Sequence, residues 1–89
     1  MKFEIILQTF NYNYNYYLNF NGYSDDNTIA KLLDLTIDKY IKILKKYNAY
    51  NVEEFMIYYF FKNKEDAEKA IKELEPYAVM ASLMENVKW

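Results

Sequence analysis

The 89-residue sequence predicts one α/β (α+β) domain: a two-layer sandwich in which a four-stranded mixed sheet carries two helices in the order β-β-α-β-α-β. Three observations predict it. Apolar residues alternate with period two over residues 2–20 and again over 52–61, the spacing of half-buried strands. Between and after these stretches the apolar step changes to three and four, the period of a helix face. The chain is long enough for one small core and too short for a second, so residues 1–89 form a single domain.

The first strand runs from Lys2 to Phe10, with Phe3, Ile5 and Leu7 on one side and Glu4, Ile6 and Gln8 on the other. The second continues the alternation. Phe10, Tyr12, Tyr14, Tyr16, Leu18 and Phe20 share one parity and Asn11, Asn13, Asn15, Asn19 and Asn21 the other, with Tyr17 interrupting. An antiparallel hairpin with its turn among Asn11 to Tyr14 accounts for this, because Asn tolerates left-handed backbone. A break follows at Asn21-Gly22-Tyr23-Ser24-Asp25-Asp26, where Gly22 and the helix-capping acids coincide. A long helix is then expected from about Asp26 to Tyr47, with Ile29, Leu33, Ile37, Tyr40, Leu44 and Tyr47 as its apolar stripe. Lys42, Lys45 and Lys46 near its end complement the helix dipole. Asn48 to Asn51 closes it and leads to a strand from Val52 to Phe61. There Phe55, Ile57, Tyr59 and Phe61 oppose Met56, Tyr58 and Phe60, so both faces need cover. A second helix begins at Asn63, presents Ala67, Ala70, Ile71 and Leu74 inward, and is stopped by Pro76. Tyr77 to Met84 returns as the last strand, with a helix over Ala78 to Met84 as the rival reading, since Ala, Leu and Met favour helices.

The join Phe61-Lys62-Asn63-Lys64-Glu65-Asp66-Ala67-Glu68-Lys69-Ala70 resembles the strand-to-second-helix connection of ferredoxin-like domains, which implies that fold as the alternative. The resemblance carries no active site. Right-handed crossovers put both helices on one face of the sheet and leave the other open. An aromatic row on that open face, Met56, Tyr58 and Phe60, is therefore expected to pair with a second copy of the chain or to stack on a ligand. Tyr12, Tyr14, Tyr16 and Tyr17 cluster on the hairpin. Their rings supply apolar area while their hydroxyls accept a wet rim, and Asn15 and Asn19 add hydrogen bonds, so these six residues form the expected partner-binding site.

Composition removes most chemistry. Without Cys or His there is no disulfide, thiolate nucleophile, imidazole base or ordinary mixed-ligand transition-metal site. Neither Ser24 nor Ser82 has a base to activate it. Asp25-Asp26 and Glu53-Glu54 are adjacent pairs rather than convergent ones, and Asp34 and Asp38, though expected four apart on a helix, are explained as solvated surface without a metal. One glycine cannot build a phosphate-binding loop. No catalytic residue, cofactor or metal is expected. Exposed sheet aromatics with Lys2, Lys62 and Lys64 nearby leave RNA or single-stranded DNA binding as the alternative function, opposed by the formal charge of -2 and the lack of Arg.

A 53 % hydrophobic and 20 % aromatic composition argues for a folded chain, and no run reaches the roughly 20 apolar residues of a membrane span. A cytoplasmic protein is expected. Preference for Lys, Asn, Ile and Tyr over Arg, Gly and Pro fits an AT-rich genome such as that of a phage or mobile element. A non-catalytic, homodimeric, protein-binding regulator or inhibitor is expected, viral in type and directed at a host enzyme or defence complex.

Overall fold

In the computed structural model, which describes residues 3–10, 13–51 and 59–87, β1 (Phe3–Phe10) and β2 (Asn13–Phe20) pair antiparallel. Their register sets Phe3 opposite Phe20, Ile5 opposite Leu18 and Leu7 opposite Tyr16, so the parity seen in the sequence becomes one apolar face. Phe3 and Phe20 rings lie 4.4 Å apart, and Leu18 and Phe20 are buried. The chain leaves β2 through Asn21 and Gly22, both at positive φ, and Asp25 then caps α1 (Asp26–Leu32). Asp25 Oδ2 accepts the Thr28 N–H at 3.0 Å and the Thr28 hydroxyl at 2.6 Å.

The single helix expected from Asp26 to Tyr47 is two. After α1 the chain passes through Asp34 at φ 57, and the N–H groups of Asp34 and Leu35 return to the carbonyls of Lys31 (3.1 Å) and Ala30 (2.9 Å). This paired closure terminates a helix around one left-handed residue. Thr36 then caps α2 (Ile37–Lys46), its hydroxyl accepting the Lys39 N–H at 3.2 Å. The same device ends α2: Asn48, at φ 66, and Ala49 bond back to Lys45 (3.0 Å) and Leu44 (3.2 Å).

Residues 52–58 lie outside the described residues. Their flanks, β3 (Tyr50–Asn51) and β4 (Tyr59–Phe60), pair antiparallel, with Tyr50 opposite Phe60 and Asn51 opposite Tyr59. Tyr59 and Phe60, the described strand residues of the segment expected as a strand from Val52 to Phe61, are thus one arm of an antiparallel pair with Tyr50 and Asn51. Pro76 does not end the final helix either. α3 runs from Lys64 to Val87, 24 residues, with Pro76 inside it. Ala67, Ala70, Leu74, Ala78 and Ala81 recur at steps of three and four on both sides of the proline and are all buried. Pro76 sits on the exposed side, where the hydrogen bond it cannot make is lost toward water. The helical reading of 78–84 replaces the expected last strand.

The described architecture is thus two separate two-stranded antiparallel sheets and three helices in the order β-β-α-α-β-β-α. Neither the four-stranded mixed sheet with two helices nor the ferredoxin-like alternative is formed. One isolated bridge joins the two sheets: Tyr16 N–H donates to the Phe61 carbonyl at 2.8 Å and Phe61 N–H to the Tyr16 carbonyl at 2.7 Å. All three helices share a core with the inner row of β2. Leu18, Phe20, Ile29, Leu33, Tyr40, Leu44, Phe61 and Leu74 form it, and the alanines of α3 let that helix approach closely. Burial of each large apolar side chain contributes about 1.5–3 kcal/mol.

Candidate functional site

The hairpin residues expected to meet a partner are, where described, engaged within the chain. Asn15 is 5 % exposed, and its Oδ1 accepts a hydrogen bond from the Tyr50 hydroxyl. Asn19 Nδ2 donates to Ser24 Oγ at 2.8 Å while its Oδ1 accepts the Gly22 N–H at 3.1 Å, which shapes the exit from β2. Tyr16 packs against the core and carries the bridge to Phe61. Tyr17 meets Phe60 edge-on at 5.8 Å. Tyr12 and the side chain of Tyr14 lie outside the described residues, as do Met56 and Tyr58. Phe60, expected on an open stacking face, is only 2 % exposed because Tyr17 and Tyr50 rings cover it. At this position one chain supplies the cover that a second copy was expected to bring.

A different surface is assembled by α2 and α3. A groove of about 880 Å³ lies between them, lined by Lys39, Lys42, Lys45 and Lys46 of α2 and by Glu73 and Tyr77 of α3, with Thr36, Asp38 and Ile43 completing the wall. The sequence places these lysines there because Tyr40, Ile43 and Leu44 turn inward, which leaves the intervening cations outward on a helix of period 3.6. Three of the ammonium groups lie over tyrosine rings: Lys39 over Tyr77 at 5.1 Å, Lys46 over Tyr47 at 5.5 Å and Lys45 over Tyr59 at 5.8 Å. Such placements hold a cation by the negative face of the ring.

Across the groove, two donors converge on a single oxygen of Glu73. Lys46 Nζ is 2.8 Å and the Tyr47 hydroxyl 2.6 Å from Glu73 Oε1. The hydrogen bond from Lys46, then that from Tyr47, holds the Glu73 carboxyl below its ordinary pKa. The same contact raises Lys46 and Tyr47, since each is stabilised in its protonated form by the carboxylate it faces. What this arrangement does chemically is present several cations and a hydroxyl to an anionic group. The sequence pattern places Lys42, Lys45 and Lys46 at the negative end of a helix dipole and Tyr77 in a strand, and marks out neither Lys39 nor Glu73. The signal was the three-residue step of lysine through Lys39, Lys42 and Lys45.

One buried acid stands out beneath β4. Asp26 is 7 % exposed in the first turn of α1, and its carboxylate accepts the backbone N–H of Tyr59. Burial, reinforced by the neighbouring Asp25 charge and only partly offset by the Tyr59 bond, pushes its pKa up to about 7. The wholly buried Tyr40 hydroxyl, raised by burial and then by Asp26, has no hydrogen-bond partner among the described residues. Also among the described residues, no group of three or more metal-ligating side chains converges and no helix is long and apolar enough to cross a membrane. No protein-family model, curated protein or solved structure matches this chain.

Proposed function

We propose that this protein is a non-catalytic regulator that binds a partner protein by receiving an acidic segment of it in the α2–α3 groove. The observation that carries the reading is the convergence of Lys39, Lys42, Lys45 and Lys46 on one groove of a chain whose formal charge is -2. Four of its eleven basic residues fall within eight positions, so a local positive field stands on an otherwise acidic molecule. The ten residues of α2 span about 15 Å, the length of four or five extended peptide residues. Two features favour a carboxylate-bearing peptide over a nucleic acid. There is no Arg to grip phosphate with two parallel bonds, and the rings of Tyr47, Tyr59 and Tyr77 each lie beneath a lysine of the chain itself rather than open to a base.

Calorimetric titration with an octaglutamate peptide and, separately, with an eight-nucleotide oligothymidylate tests this reading at low and moderate salt. The expected result is salt-sensitive peptide binding that falls about tenfold or more in a Lys39→Glu, Lys42→Glu variant. Both lysines are exposed, so the variant is expected to retain the fold, which circular dichroism checks. Binding of the oligonucleotide in preference to the peptide, or of neither, overturns it.

A further inference from the structure

We propose that the groove selects side-chain carboxylates and that Glu73 is its built-in competitor, which an incoming acidic side chain displaces from Lys46 and Tyr47. This rests on the acidic-segment reading above. The geometry supports it directly: an ammonium at 2.8 Å and a phenol hydroxyl at 2.6 Å meet at one carboxylate oxygen, so the chain already displays a bound carboxylate at the groove wall. The competitor is also free to leave. Glu73 is 30 % and Lys46 61 % exposed in their side chains, so rotation of Glu73 returns its carboxylate to water without leaving a charge buried. Its anchor is on α3 and both donors are on or beside the last turn of α2, so release breaks no backbone hydrogen bond.

A displacement mechanism differs from simple repulsion between Glu73 and an acidic ligand. Repulsion acts through space whatever Lys46 and Tyr47 do, whereas displacement requires their two donors. The octaglutamate peptide is therefore titrated into the wild type, Glu73→Gln, a Lys46→Met, Tyr47→Phe variant, and the triple combination, with circular dichroism confirming the fold of each. Displacement predicts that Glu73→Gln binds the peptide about five- to tenfold tighter and that this gain vanishes in the Lys46→Met, Tyr47→Phe background. A carbon-detected titration of Glu73 adds a second readout: with saturating peptide its carboxyl returns to the ordinary glutamate range. Unchanged affinity in Glu73→Gln, or a gain that persists without the two donors, overturns the competitor while leaving the acidic-segment reading intact. Failure of both wild type and Glu73→Gln to bind overturns both.

Discussion

The backbone N–H of Tyr59 donates to the carboxylate of Asp26, which ties the start of β4 to the first turn of α1 through a buried acid. A carboxylate in that position is costly because burial removes its water and one N–H replaces only part of it. The chain resolves the conflict by holding the proton more tightly.

Stability is therefore expected to fall as pH rises. Asp26 in the folded chain has a pKa of about 7 against 3.8 when free, so folding is favoured by its protonation. That contribution is complete below about pH 4 and is lost as pH rises through 7, an effect of about 2–4 kcal/mol. Urea unfolding at pH 5 and pH 8 measures it. Asp26→Asn is expected to abolish most of the difference and to be the more stable protein at pH 8; an unchanged pH dependence in that variant contradicts the assignment.

Pro76 interrupts the hydrogen-bond ladder of α3 on its exposed side. Pro76→Ala restores a donor to the Lys72 carbonyl and is expected to stabilise the protein by about 1–3 kcal/mol, raising Tm. Were residues 77–84 a strand entered through a proline turn, the same change would be neutral or harmful. Thermal unfolding by circular dichroism decides between these outcomes.

Asp34 holds a left-handed conformation where α1 ends, with φ 57. Asp34→Gly removes the steric cost of a side chain there and is expected to stabilise by about 0.5–1 kcal/mol, while Thr36→Ala, which deletes the cap of α2, costs about 1 kcal/mol. Opposite signs at positions two apart mark a helix break. A continuous helix through 26–47 would instead lose stability on insertion of Gly and be nearly indifferent to loss of Thr36.

These particular positions explain how far the sequence could be read. Alternation in the hairpin was legible because, among the described residues, Leu18 and Phe20 of one row are buried and Phe3, Ile5 and Tyr16 pack against them in the core, and Asp25, Asn48 and Asn63 announced helix boundaries. The break at Leu33–Thr36 was hidden because Leu32, Leu33, Leu35 and Ile37 keep the apolar spacing unbroken while the reversal is made by Asp34, whose tolerance of positive φ marks a helix end far less plainly than a glycine does. In α3 the proline drew attention from the stronger signal, an alanine and leucine stripe that passes through it. The groove was invisible for another reason: it exists only when α2 packs beside α3, and no spacing within either segment states that Lys46 and Tyr47 meet Glu73. Aromatic residues at Tyr17 and Phe60 suggested an open surface, yet they cover one another.

Binding of acidic segments between α2 and α3 can be observed residue by residue through amide chemical-shift mapping of the labelled protein with unlabelled octaglutamate peptide. Shifts are expected to concentrate at Lys39 to Tyr47 and at Glu73 to Tyr77, to saturate with peptide and to be suppressed by salt. Shifts centred instead on β1 and β2, or none at peptide excess, contradict it.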